Sequence, residues 1–258
     1  MCRKIIDAHI HLDMYEPVEC VRILDDMEAS NVDAVISVSN HLASARETIQ
    51  LAHDNYRVKP AIGFHPEQPI ASDEEVGDLL SMIDCHKEDI VAVGEVGLPF
   101  YLRREGKVST REAYRETLEV FIQKAAELDK PIALHAIYDD APVVCDLLEK
   151  YSAAKAHFHW FKGDKLTAER MVANGYFISV TPDILYEKET RDLAKEYPLG
   201  KMMVETDGPW PFGGIFSEEM THPHMIHRSV YEVSALKRTS ADEVYKRLYD
   251  NTCRFYEL

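Results

Sequence analysis

Short β-branched or apolar runs alternate with longer amphipathic stretches eight times along this chain, and no other feature of it limits the choice of fold so strongly. The runs are KIIDAHIHL, DAVISVSN, VKPAIGFHP, DIVAVGEVGL, PIALHA, AKAHFHWF, YFISVTP and KMMVETDGP. Each is bounded by turn residues and built from side chains that suit a pleated strand. Between them, segments such as VECVRILDDMEAS, REAYRETLEVFIQKAAELD and DEVYKRLYDNTCRFYEL carry apolar residues at helical spacing. Repeats of about 25 to 40 residues read as successive βα units. At 258 residues the series matches a single closed (β/α)8 TIM barrel, which needs about 250; an open doubly wound sheet is the competing architecture. No Pro/Ser/Gly-rich linker, charge block or low-complexity tract interrupts it, so residues 1–258 are expected to form one domain.

Charge narrows the partners. A formal net charge of −16 argues against a broad face that tracks long nucleic acid, because such a face needs Lys and Arg to neutralise phosphates. It leaves room for a small site that takes a strand end. The opening MCRKIIDAHIHLDM lacks the apolar run of a signal peptide, and no stretch approaches the roughly 18 apolar residues of a membrane span. The expectation is a cytoplasmic protein with no membrane partner and no obligate protein partner. Cys2, Cys20, Cys85, Cys145 and Cys253 are scattered and form no CxxC, so reduced thiols are expected rather than a disulfide framework or cysteine zinc cluster.

In a barrel, chemistry gathers at the carboxyl ends of the strands. The polar residues late in each run are His9, His11, His65, Glu95, His135, His157, His159, Glu205 and Asp207. His9 and His11, two apart on one strand, face the same way and can share a metal ion. A lone H-x-H is equally a pair of hydrogen-bonded strand residues. The concurrence of Glu95, His135, His159 and Asp207 on other strand ends points to a metal site, since His and carboxylate are the usual ligands of hydrolytic divalent ions.

Taken in order, DAHIHLD, GFHPE, GEVGL, ALHA, HWFKG and ETDGPW resemble the TatD-type metal-dependent hydrolases of the amidohydrolase-like barrels, nearly end to end. The resemblance implies a (β/α)8 barrel holding two divalent ions, zinc, manganese or magnesium, and deoxyribonuclease-like cleavage at the 3′ end of single-stranded DNA. His9 and His11 then resemble ligands of the first metal, and Glu95 resembles the carboxylate that reaches both. His135 and His159 resemble ligands of the second. Asp207 resembles the strand-eight aspartate that binds the first metal and takes a proton from the attacking water; Asp207 and Glu95 are the catalytic candidates. His159, nearer the strand end and matching His-x-Phe-x-Gly, is preferred to His157, which is expected to be hydrogen-bonded in the core or behind the ligands.

His65 resembles a pocket-lining position suited to a phosphate oxygen. The chain departs from the family where Gly-Glu-x-Gly-Leu-Asp is usual: here Pro99 follows Leu98, and proline brings neither a backbone N–H nor an acceptor side chain. That places the substrate in question while leaving the ligands intact. In the loop expected to follow, Tyr101, Arg103 and Arg104 are candidate substrate contacts, as is Trp210; Trp160 is expected to pack. His222, His224 and His227 are expected at the surface. The alternatives are a small-molecule ester, amide, lactone or phosphate hydrolase, including the phosphotriesterase or lactonase type, whose bridging group is usually a carboxylated lysine, and a catalytically silent metal-binding scaffold.

Overall fold

The computed structural model describes residues 3–258, so the expectation for the Cys2 thiol lies outside the described residues. Eight parallel strands pair strictly in chain order: β1 (Ile5–Ile10), β2 (Val32–Val38), β3 (Val58–Ile62), β4 (Ala92–Gly97), β5 (Ile132–His135), β6 (Ala156–Phe158), β7 (Phe177–Val180) and β8 (Met202–Val204). That order rules out a doubly wound sheet, whose strand sequence reverses at a switch point. Helices follow every strand: α1 (Pro17–Asp26), α2 (Leu42–Asp54), α3 (Asp73–Cys85), the short α4 (Phe100–Arg104) with α5 (Glu112–Glu127), α6 (Ala141–Lys150), α7 (Lys165–Ala173), α8 (Lys188–Glu196), and finally α9 (Ile226–Lys237) with α10 (Ala241–Tyr256). The result is the (β/α)8 TIM barrel that the alternation predicts. Local signals start the helices: Ser72, Asp164 and Ser240 accept backbone N–H groups of the first turn, and Glu16 with Glu19 forms a capping box ahead of Pro17.

The sheet meets itself just beyond the assigned strand ends. Asp207 N–H donates to the His9 carbonyl at 2.9 Å, and His11 N–H donates to the Gly208 carbonyl at 2.8 Å. One turn deeper, the buried Asp7 carboxylate accepts the Thr206 N–H at 2.9 Å and the Thr206 hydroxyl at 2.6 Å. The seam between first and last strand is thus tied at its mouth by His9, His11 and Asp207, which the sequence marks for chemistry, and deeper by Asp7 and Thr206, which it does not.

Two large apolar cores result, with a small third cluster of Phe212, Phe216 and Met225 beside them. The larger, with Ile5, Ile10, Val93 and Val96, lies between strands and helices. The smaller fills the barrel, where the inward alanines Ala8, Ala61, Ala92 and Ala133 leave space that Phe255 and Tyr256 occupy from the end of α10. Simple alternation does not carry through every strand. In β1, Ile6 and Ala8 belong to the interior cluster, whereas His9 and His11 also reach the barrel mouth; in β4, Ala92 faces inward, and so does Glu95. Register irregularities between Asp7 and Ile10 and between Val93 and Val96 absorb the extra residue.

Gly97 ends β4 where no side chain fits: a Cβ there would lie 1.9 Å from the His135 carbonyl oxygen. Gly77, in α3, has nothing within 4 Å. Gly97→Ala is therefore expected to destabilise by about 3 kcal/mol through forced separation of β4 and β5. Gly77→Ala is expected to stabilise by up to about 1 kcal/mol through helix propensity. Urea unfolding midpoints of the two variants check both signs.

Candidate metal centre

At the carboxyl end of the barrel, the wholly buried carboxylate of Glu95 faces five imidazoles, His9, His11, His65, His135 and His159. Its two oxygens divide them. Oε2 lies 3.1 Å from His9 Nε2 and 3.2 Å from His11 Nε2. Oε1 lies 2.7 Å from His159 Nε2, 3.1 Å from His135 Nδ1 and 3.5 Å from His65 Nε2. Asp207 joins the first set, its Oδ1 3.6 Å from His9 Nε2 and 3.4 Å from His11 Nε2. The rings of His9 and His159 stack with centroids 3.9 Å apart, closing the ring of donors between the two sets.

The electrostatics follow from this crowding. Burial alone would raise the Glu95 carboxyl, yet the fields of His159, His65 and His9 and a hydrogen bond from His11 hold it well below the usual carboxylate range. Burial opposes charge on His11, but its bonds to Asp207 and Glu95 prevail and push it up to about 10. His65 goes the other way, to about 3, because burial and the neighbouring His135 and His11 outweigh Glu95.

Five imidazoles exceed what one carboxylate, with about four lone-pair sites, satisfies. The Nδ1 atoms of His9, His11 and His159 have no hydrogen-bond partner among the described residues. Three triads, His9–His159–Asp207, His9–His11–Glu95 and His65–Glu95–His135, each bring ligand atoms within 4.8 Å of one another. An ion held at about 2.1 Å spaces its ligands by about 3 to 4 Å. The donor set and its spacing therefore fit divalent metal.

Sequence reasoning passed over the group beside it, Glu67. This residue follows β3, and its carboxylate accepts the N–H groups of Tyr101 and Leu102 at 2.7 and 2.8 Å and reaches His135 Nε2 at 3.3 Å. Pro99 offers α4 no side-chain cap, and Glu67 takes that place. A carboxylate thus does stand beside the site, supplied by the segment after β3 rather than by position 99. The signal lies in GFHPE, where Glu67 follows His65 by two residues.

The segment after β4 is a helix, not the expected loop, and it commits Arg103. The Arg103 guanidinium donates to Asp139 at 3.1 Å and to the buried Asp140 at 2.8 Å, where Arg111 also binds at 2.6 Å. Its charge is neutralised inside the fold instead of facing the mouth. Tyr101 and Trp210 remain open, at 43% and 60% exposure, while Trp160 packs with Phe212 and donates its indole N–H to Asp183 at 2.6 Å. Lys162 is held by the same Asp183 at 3.3 Å. Asp207 and Trp160 adopt left-handed backbone, at φ 51° and 37°, a conformation that side chains other than Gly, Asn and Asp adopt only when their surroundings hold it.

The three late histidines stand apart from the centre, and two are less exposed than expected. His227 bonds Tyr245 and the Ser30 carbonyl at 2.7 and 2.6 Å. His222 is buried, accepts the His224 N–H at 3.1 Å, and is pushed down to about 4 by burial and by His224. Its unfolded value is near 6.5, so the unfolded chain binds a proton across that interval that the folded chain refuses. Stability is expected to be level above about 6.5 and to fall towards pH 4. His222→Asn, which keeps the acceptor without titrating, should lessen the fall in melting temperature measured between pH 7.5 and 4.5.

Residues 6–257 match the family described as TatD related DNase. An uncharacterized metal-dependent hydrolase of Haemophilus influenzae is 35% identical over 98% of this chain and 100% of its own length. Deoxyribonuclease TATDN3 of Homo sapiens is 29% identical over 98% of this chain and 94% of its own. Among solved structures, YJJV, a TatD homolog from Escherichia coli K12, superposes with a TM-score of 0.88 at 26% identity, covering 100% of this chain and 99% of that one. No helix among the described residues is long and apolar enough to cross a membrane. With its barrel, its buried His and carboxylate cluster and this match over nearly its whole length, the chain belongs to the TatD family of metal-dependent hydrolases.

Proposed function

We propose that the centre binds two divalent ions and hydrolyses phosphodiester bonds at the 3′ end of single-stranded DNA. The observation that carries this is the division of Glu95, one oxygen toward His9 and His11 and the other toward His159 and His135. His9, His11 and Asp207 would hold one ion, His135 and His159 the other, and Glu95 both, with His65 beside the second. When bound, zinc, manganese or magnesium supplies Lewis acidity, lowering the pKa of water and drawing charge from the scissile phosphate.

The chain's own residues divide the remaining work. Glu95 has no exposed side-chain surface, whereas the Asp207 side chain keeps 13% exposure, so of the two carboxylates only Asp207 meets water from the mouth. Asp207 is the carboxylate to accept a proton from the attacking water. Tyr101 and Trp210 offer exposed aromatic faces on which a terminal base can stack. The human relative's name, deoxyribonuclease, supports the choice of bond.

A second reading has its own observation. Arg103, Arg111 and Lys162 all spend their charge on Asp139, Asp140 and Asp183, which suits a small ester or phosphate better than a polyanion. The test is an end-labelled single-stranded DNA with added Mg, Mn or Zn. The native protein should shorten the strand, and Asp207→Ala should slow it by about 10² to 10⁴-fold. Intact DNA with turnover of small esters or phosphate monoesters would replace the nuclease reading with the second. No turnover of any of them by metal-loaded protein would overturn both.

A further inference from the structure

Below the candidate metal centre runs a second line of buried polar groups that the proposed reaction leaves unused. The Tyr256 hydroxyl lies 2.7 Å from His157 Nδ1, His157 Nε2 lies 2.6 Å from Ser179 Oγ, and Ser179 Oγ lies 2.5 Å from Glu205 Oε2. At the upper end, Glu205 Oε1 accepts the Trp160 N–H at 2.7 Å and stands 3.5 Å from His159 Nδ1. That nitrogen has no hydrogen-bond partner among the described residues. Each of the four residues in the line is at most 2% exposed.

The bond from Ser179 to Glu205 sets the direction of the line. Glu205 accepts the Trp160 N–H on Oε1 and the Ser179 hydroxyl on Oε2, so the Ser179 hydrogen is given to the carboxylate. Its hydrogen spent, Ser179 Oγ accepts from His157, whose proton therefore sits on Nε2. One hydroxyl faces each ring nitrogen of His157, so with Nε2 donating to Ser179 its Nδ1 presents a lone pair to the Tyr256 hydroxyl. Tyr256 supplies the hydrogen bond to that lone pair. With Tyr256 donating to His157 at 2.7 Å, shorter than its 3.5 Å approach to the Ala8 carbonyl, the side-chain donors of the line run from the floor of the barrel, where Tyr256 fills the space beside Ala8 and Ala133, toward the ligand at its mouth.

We infer that Tyr256, His157, Ser179 and Glu205 are positioning residues that hold the His159 ring with its proton on Nδ1, leaving Nε2, 2.7 Å from Glu95 Oε1, to present its lone pair to an ion. The inference rests on the proposed metal centre. Carboxylate partners on the far nitrogen of a ligating histidine act in this way, fixing the tautomer and raising basicity. Here the carboxylate is itself oriented from three residues below, and by holding the Trp160 N–H it also fixes the left-handed turn that follows His159.

The experiment uses ¹⁵N-labelled protein loaded with zinc, and the variants Ser179→Ala and Tyr256→Phe. Long-range ¹H–¹⁵N spectra should show His157 protonated on Nε2 alone and His159 on Nδ1 alone. Chelator competition should show zinc held about 10 to 100-fold more weakly in Ser179→Ala. Tyr256→Phe keeps the ring that fills the barrel and should give mixed His157 tautomers with a smaller loss of affinity. Unchanged zinc affinity in both variants, with only their metal-free melting temperatures lowered, would make the line structural and overturn the inference alone. A His157 proton on Nδ1 would overturn its direction. Native protein that takes up no zinc would overturn the metal reading and this inference with it.

Discussion

A carboxylate with no exposed surface, surrounded by imidazoles, is the constraint around which the rest of this molecule is arranged. Glu95 enters an enclosure that penalises charge, and it remains ionised because nitrogens arrive from four other strands. None of those strands can shift far without leaving the carboxylate or an imidazole unpaired, an outcome that costs more than the pairing gains. The barrel provides what such a cluster needs. Its closed ring of strands brings side chains from distant parts of the chain to one axis, and the α10 aromatics fill the space below.

The sequence made the architecture legible because hydrophobic period is a local property. Eight runs of strand character, separated by helical ones, carry the barrel in their order, and reading the last polar residue of each run finds the cluster. His159 was separable from His157 by position along the strand, and the hydrogen bonds of His157 to Tyr256 and Ser179 fit the core placement expected of it. What stayed hidden was set by contacts between residues far apart. Arg103 reads as an open cation until Asp139 and Asp140, more than thirty positions on, are seen to take its charge. Glu67 reads as a turn residue until α4 folds over it.

Strict alternation also misleads in β1 and β4. Followed literally, it cannot place both Ala92 and Glu95 inside the barrel, nor both Ala8 and His9. Irregularities in strand pairing reconcile them, and they occur in the two strands that carry His9, His11 and Glu95. Bulges of this kind re-aim side chains at active sites. The departure from regular pattern thus falls on the strands richest in candidate ligands, where a sequence tuned for chemistry is expected to break its own local rules.

The seam between β1 and β8 bears on how the molecule comes together in time. Contacts such as Thr206 with Asp7, 199 residues apart, join the first strand to the last and close a loop that spans most of the chain. Loops of that length close late, because their entropy must be overcome before their contacts contribute. Asp207 stands beside His9 and His11 only once that closure is complete. An incompletely wound chain therefore lacks the full cluster, and chemistry at the mouth becomes available only after the last strand has docked onto the first.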